Sequence, residues 1–299
     1  MPKKLTEEKI KEQKEKEVMN KLLDNLMGVK LAILIPDNFP MEYKQFRRSL
    51  CKIIKTISRF SYAVMWREYY RNGEQEPSLD KRFVFKIIES NHFRLDLRRD
   101  AMIMSAMKWG ATHMLCLDTD QNFTEDVFFR LFRHNKPLVA GLYFHKIPPY
   151  LPHLYTRDKN FAKKQSYNIP TGYPSLDPTK PLIDKAILYY KKDGKTKEKE
   201  VEIHATGAGC LLIRREVIEA LKKPPYFKFK EHYDDKGEKR KDTYETEDLY
   251  FFDRIKDETN YKLWIDTSCK CGHLAPNKEI TEQTFLAYGQ INPLIKSLT

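Results

Sequence analysis

Asp118-Thr119-Asp120 is the segment with the clearest chemical capacity in this 299-residue chain. Two carboxylates one residue apart, just past a strand, can share one divalent cation. Such a cation neutralises a diphosphate and stabilises it as a leaving group. The tripeptide is common in surface loops, and its setting gives it weight here. His113-Met114-Leu115-Cys116-Leu117 runs into it as an apolar strand. Gln121-Asn122-Phe123 leads away toward a helix that Thr124 is expected to cap, with Glu125 and Asp126 in its first turn.

Three further segments could act with it. Glu247-Asp248 could supply a general base that removes a proton from an attacking hydroxyl. Acids in a helix's first turn also favour the macrodipole, and spacing alone does not separate the two roles. His273 follows Cys269, Lys270, Cys271 and Gly272. A closed zinc site from Cys269, Cys271 and His273 lacks a fourth ligand. A lone histidine after a strand is usually a satisfied polar residue, and His273 gains interest as a third ligand to a cation held by the two aspartates. Thr206-Gly207-Ala208-Gly209 is no phosphate-cradling Walker loop, because a strand rather than a helix follows it. Its glycines allow either a bend or a close backbone approach to a bound sugar.

Positioning these groups calls for an alternating frame. Val29–Ile35 is a mostly apolar run ended by Pro36, as expected of a buried parallel strand. Helical spacing covers 41–59, and Tyr62–Trp66 reads as a second strand. A helix is expected over 94–109, stopped by Gly110, then a strand over 113–117 and a fourth over 137–144. Strand alternating with helix signals a doubly wound α/β sheet, in which ligands bind beyond the carboxyl ends of the strands. The second half is less regular. It offers loops over 145–182, a hairpin between 187 and 203, an apolar run over 211–213, a short helix over 216–221, a polar loop over 230–244, a helix over 247–256 and a last strand over 261–265. Residues 1–27 form a charged helical extension, and 28–299 a single domain. The extension's apolar residues gather at Val18, Leu22, Leu23 and Leu26, so it reads as a solvated, exposed helix whose last turns are the part able to dock.

Composition limits the options. The chain is 41% hydrophobic and 12% aromatic, so most of it should be globular. Its formal net charge is +12, but the lysines are scattered among acids with no basic stripe. That distribution argues against nucleic acid and suits a solvated surface. There is no transmembrane run, although peripheral membrane contact through the N-terminal helix stays open. Five cysteines without a disulfide pattern suggest a reducing, cytoplasmic setting, with Cys116 and Cys210 read as small core residues.

The ordered set of segments resembles the family 2-like glycosyltransferases of the GT-A fold. The matching stretches are Arg98-Arg99-Asp100, Gly110 through Asp120, Ala205 through Arg215, Thr246-Glu247-Asp248-Leu249, and Trp264-Ile265-Asp266 through His273. Together they cover roughly residues 29–276. Each is weak alone, and the order carries the specificity. The resemblance implies a Rossmann-like mixed sheet flanked by helices. It implies that Asp118 and Asp120 are the DXD motif, holding Mn²⁺ or Mg²⁺ and the diphosphate of a UDP- or GDP-sugar, with Thr119 between them. Asp248 would be the base of an inverting displacement and Glu247 its neighbour, with His273 completing the metal site. Arg98, Arg99 and Asp100 would contact the nucleotide. Pro36 and Asp37 would lie near its base, and Gly207, Ala208 and Gly209 near the donor. The absence of a QxxRW motif departs from processive synthases, and the acceptor is not indicated.

Other readings share features with this one. Retaining GT-A enzymes also carry DXD and the late histidine. Nucleotidyltransferases acting on sugar phosphates use strand-end acids and a metal, but would need a glycine-rich basic loop where Pro36-Asp37-Asn38-Phe39-Pro40 stands. A non-catalytic binding module would not need Asp248 alongside the metal acids.

Overall fold

The computed structural model describes residues 7–36, 43–148, 150–156, 181–192, 195–233, 239–276 and 278–291. Helix α1 (Glu7–Leu26) precedes strand β1 (Lys30–Pro36), which is buried from Leu31 onward. Its side chains alternate between two cores. Leu31, Ile33 and Ile35 face one, and Ala32 and Leu34 the other. A strand covered on both faces needs this near-continuous apolar run.

Helix α2 (Lys44–Arg71) corrects the sequence reading. The segment Tyr62–Trp66, expected as a strand, lies within it. The buried positions Phe46, Ser49, Ile53, Ile57, Val64 and Glu68 keep helical spacing throughout. No glycine or proline interrupts them until Gly73, whose φ of 66° ends the run. Five mixed residues are too few to separate strand from helix by period. The second strand is β2 (Val84–Ser90), which lies parallel beside β1. Helix α3 (Leu95–Trp109) ends as expected at Gly110, which adopts the left-handed conformation at φ 82°. Strand β3 (His113–Leu117) then pairs parallel with the other side of β1.

Beyond β3 the chain makes a two-residue strand β4 (Gln121–Asn122) and the short helix α4 (Val127–Phe132). Thr124 is not the side-chain cap that was expected. Asp126 holds the N-cap position without a side-chain cap bond; Thr124 gives its carbonyl to Val127 N–H and its side chain a hydrogen bond to the Asp126 carboxylate. Strand β5 (Leu138–Leu142) is fully buried. The following strands are β6 (Leu154–Tyr155), β7 (Leu182–Ile183), the hairpin β8 (Lys185–Lys192) and β9 (Lys195–Glu202), β10 (Ala205–Thr206) and β11 (Cys210–Arg214). Helix α5 (Arg215–Ala220) comes next. The polar stretch expected as a loop is instead the antiparallel pair β12 (Lys230–Tyr233) and β13 (Lys239–Glu245). Polar strands lack the apolar alternation that marks a half-buried strand, so pattern alone misses them. Helix α6 (Glu247–Glu258), β14 (Trp264–Lys270), β15 (Gly272–Ala275), β16 (Lys278–Ile280) and α7 (Glu282–Ile291) complete the order.

Seven strands form one mixed sheet in the order β2-β1-β3-β11-β5-β14-β7. β2, β1, β3, β5 and β14 run the same way, while β11 and β7 run against them. One face packs against α2 and α4 through residues such as Ile57 and Phe128. The other packs against α3 and α6 through Met102, Ile103 and Phe252. The carboxyl ends of the parallel strands and the start of β11 therefore share one edge. α1 docks by its end, where Leu26 is buried and Asp24 meets Arg67 at 2.9 Å and Arg71 at 3.0 Å. Among the described residues, no helix is long and apolar enough to cross a membrane.

Candidate active site

Asp118 leaves the end of β3 beside the start of β11. Leu117 pairs with Cys210, and Asp118 N–H donates to the Gly209 carbonyl at 3.0 Å. Its carboxylate meets Arg99, which α3 delivers into the protein with only 2% of its side chain exposed. Arg99 Nη2 donates to both Asp118 oxygens, at 2.9 and 3.0 Å. Its Nε donates to Glu247 Oε1 at 3.1 Å and lies 3.5 Å from Asp248 Oδ1. One buried guanidinium thus gathers three carboxylates from two segments about 130 residues apart in sequence. The first two turns of α3 bury Asp96, Arg98, Arg99 and Asp100, an unusual content for a helix face turned inward.

Asp248 is the acid most altered by this setting. Burial raises its pKa well above the usual carboxylate range, and the neighbouring Glu247 adds to the rise. Arg99 and a hydrogen bond from Ala208 N–H act in the opposite direction without cancelling it. Ala208 belongs to the glycine-containing segment singled out in the sequence, so that segment touches the candidate base through its backbone.

The second acid, Asp120, faces a different set of groups. The short strand β15 pairs with β4 so that His273 lies opposite Gln121, and Leu274 N–H donates to the Asp120 carbonyl at 2.7 Å. This register brings His273 Nε2 to 3.6 Å from Asp120 Oδ2. The other ring nitrogen, Nδ1, lies 2.7 Å from the Phe144 carbonyl. A carbonyl there calls for the proton on Nδ1, so that in the neutral ring Nε2 faces Asp120 with its lone pair, the arrangement of a metal-binding histidine, whereas the protonated ring pairs with Asp120 as a cation. Lys146 Nζ also meets Asp120, at 2.5 Å. Burial alone would raise the Asp120 pKa, but His273 and Lys146 outweigh it and hold the group at about 2. Asp120 and His273 are thus together, whereas Asp118 is turned onto Arg99. The ligand atoms of the two aspartates and the histidine are not gathered within 4.8 Å of one another.

Several groups here escaped the sequence reading. Gln121 is 1% exposed, and neither its side-chain oxygen nor its nitrogen has a protein partner. A methyl on Gly209 would overlap that amide and lie 2.9 Å from Asp118 Oδ2, so any larger residue there would push Gln121 and Asp118 from their places. A methyl on Gly207 would likewise overlap the Tyr143 hydroxyl. His153 stacks between Tyr143 and His145, at centroid distances of 4.9 and 4.0 Å. Burial and the neighbouring His145 and His273 hold His153 neutral, and its Nδ1 has no hydrogen-bond partner. Arg99 Nη1 is also buried without one. Unpartnered buried polar atoms are costly, so these atoms call for a water or a polar ligand as partner. The sequence held one signal for them, the His145-Lys146 pair just past β5; Gln121 had none.

The remaining expected residues are more dispersed in role. Pro36 closes β1 within the buried run, and Asp37 lies outside the described residues. Thr119 is buried between the two acids. Arg98 donates to the His92 and Phe93 carbonyls, and Asp100 accepts the N–H groups of Tyr226 and Phe227 at 2.6 and 2.9 Å. These two charges serve the protein's own backbone, which distinguishes them from Arg99.

No known protein family matches the sequence. No curated protein is significantly similar to it. Solved structures similar to this chain include A197 from STIV, with a TM-score of 0.42 and 15% identity over 85% of this chain and 93% of that one. Another is the nucleoside-diphosphate-sugar pyrophosphorylase from Vibrio cholerae RC9, at 0.34 and 11% over 86% and 98%. A third is HddC from Yersinia pseudotuberculosis complexed with GMP-PN, at 0.26 and 9% over 66% and 80%. At these scores the likenesses decide neither fold family nor chemistry.

Proposed function

We propose that the chain is a metal-dependent glycosyltransferase of the GT-A type, moving a sugar from a UDP- or GDP-sugar to an acceptor hydroxyl. The observation that carries this reading is Arg99. It holds Asp118, Glu247 and Asp248 in one buried cluster, so the strand-end acid pair stands beside a candidate base. In this reading residues 28–299 are the catalytic domain and residues 1–27 an appendage to it.

Asp120 and His273 fit a divalent cation, because the Phe144 carbonyl holds the Nδ1 side of the ring and leaves Nε2 as the atom that would face the ion. Mn²⁺ or Mg²⁺ held there would neutralise the diphosphate as it leaves. Lys146 supplies a second positive charge on the same side. Asp248 takes the acceptor hydroxyl's proton as that oxygen attacks the anomeric carbon, giving a single displacement with inversion. Arg99 ties Asp118 and Glu247 to one guanidinium, so the base and the donor acids hold a fixed separation. Gln121 and the backbone at Gly207–Gly209 offer close polar contact to the sugar or phosphates.

The test is to incubate the protein with nucleoside-diphosphate sugars and Mn²⁺ and to follow release of nucleoside diphosphate. Metal-dependent release is the expected result. Pyrophosphate formed from a sugar phosphate and a nucleoside triphosphate, with no nucleoside diphosphate released from any donor, overturns the proposal in favour of a nucleotidyltransferase.

A further inference from the structure

Behind the candidate active site, Cys210, Cys269 and Cys271 converge. Their sulfurs all lie within 4.8 Å of one another, and the residues are 0%, 1% and 3% exposed. They come from three places in the chain: the first residue of β11, the end region of β14, and the residue between β14 and β15. Core cysteines ordinarily pack one at a time as small apolar groups, as Cys116 does on the opposite face of the sheet. Three on one spot is a different arrangement. Metal–thiolate bonds of about 2.3 Å set sulfurs roughly 3.8 to 4.0 Å apart, so the cluster needs only a small contraction to hold one ion.

The surroundings have the shape of such a site. Position 141 is glycine, and a methyl there would stand 2.8 Å from Cys210 Sγ and 3.2 Å from Cys271 Sγ. The missing side chain is space that the sulfurs occupy. Cys271 N–H is tied to the Leu142 carbonyl at 2.9 Å, which holds the third sulfur over the end of β5. Among the described residues no carboxylate joins the three sulfurs. The nearest buried carboxylate in sequence, Asp266, is taken by His134 at 2.7 Å and by Ser268 at 2.6 Å. The donor set is therefore soft, and hard cations such as Mg²⁺ and Ca²⁺ do not suit it.

We infer that Cys210, Cys269 and Cys271 form a three-thiolate site for a single thiophilic metal ion, Cu⁺, which three thiolates satisfy, or Zn²⁺ with a water as its fourth donor, separate from the Asp120–His273 pair. Each sulfur–metal bond replaces an S–H bond, and the three protons pass to solvent. No oxidant or reductant is consumed. Because the sulfurs are enclosed, the ion is captured as the chain folds. It ties the residue after Gly209, which faces Asp118, to the segment that leads into His273, and so fixes two parts of the candidate active site to one point.

The experiment uses full-length protein carrying Cys51→Ser to remove the exposed thiol, refolded anaerobically with Zn²⁺, Cu⁺ or Co²⁺ and a non-thiol reductant. Mass spectrometry should find one equivalent of Zn²⁺ or Cu⁺ resisting a competing chelator, and the resisting ion identifies the native one. Co²⁺ should give sulfur-to-cobalt charge-transfer absorption, which no carboxylate or imidazole site can produce. The absorption should survive Asp120→Asn and Cys116→Ser and be lost in Cys210→Ser, Cys269→Ser and Cys271→Ser. Should a serine variant fail to fold, the charge-transfer band of the parent protein decides. Absence of that band together with no retained Zn²⁺ or Cu⁺ overturns the inference. So does an intact mass two hydrogens low after isolation without reductant, which would mean a disulfide, or retention of the ion by the folded Cys269→Ser protein.

Discussion

Asp248 and Glu247 are adjacent acids with unequal surroundings, and the difference sets the expected pH behaviour. Glu247 takes the direct hydrogen bond from Arg99 Nε, while Asp248 is left at 3.5 Å with its pKa raised by burial. A base must be ionised to act. Turnover should therefore fall as pH drops through the raised pKa of Asp248, with an acid limb above the ordinary aspartate value of about 4. Asp248→Asn should lower turnover by about 10²- to 10⁴-fold and leave calorimetric donor affinity nearly unchanged. Turnover that survives the substitution removes Asp248 from the mechanism. His273→Ala should weaken Mn²⁺ binding roughly tenfold or more, read by calorimetry with donor present. An unchanged affinity would place the cation elsewhere.

Among the elements, the pairing of β4 with β15 matters most, since it brings His273 to Asp120 across about 150 residues of sequence. Two short strands do this, and neither has a pattern that announces its partner. α3 is the other decisive element. Its N-terminal turns carry Arg99 inward and its C-terminus is set by Gly110. A methyl on Gly110 meets nothing within 4 Å, so the cost of Gly110→Ala is purely conformational. It should lower unfolding free energy by about 1 kcal/mol in urea titrations and leave the site's metal affinity intact. A much larger loss would mean that the turn also positions β3.

At the scale of the whole molecule, buried histidines link stability to pH. Burial and the nearby Arg214 lower His113 to about 4, and burial and His273 lower His145 to about 4. The unfolded chain titrates near 6.5, so between these values it binds protons that the folded chain refuses. The stability these groups contribute is complete above pH 6.5 and is lost as pH falls toward 4, at about 1.4 kcal/mol per pH unit for His113. Denaturant melts at pH 7 and pH 5 should show the decline, and His113→Gln should flatten it. An equal slope in the variant would assign the linkage to other groups. The +12 net charge adds self-repulsion as the remaining acids protonate, in the same direction.

Much of the frame was legible in the sequence because its signals are local. The apolar runs of β1, β3 and β5, the Gly110 stop and the acidic first turn of α6 each declare themselves within a few residues. The acid pair at the end of β3 was legible for the same reason. Where period was short or polar, the reading failed, as at Tyr62–Trp66 inside α2 and in the β12–β13 hairpin. Partners across the fold were not legible at all. Insertion of β11 between β3 and β5, the arrival of Glu247 and Asp248 at Arg99 and the meeting of Cys210 with Cys269 and Cys271 depend on contacts between segments about 60 to 150 residues apart. Periodicity and capping act over one or two turns, so the sequence by itself determined which groups stand at the strand ends. Only the tertiary packing decided which of them meet, because pairing register and burial are properties of the closed core.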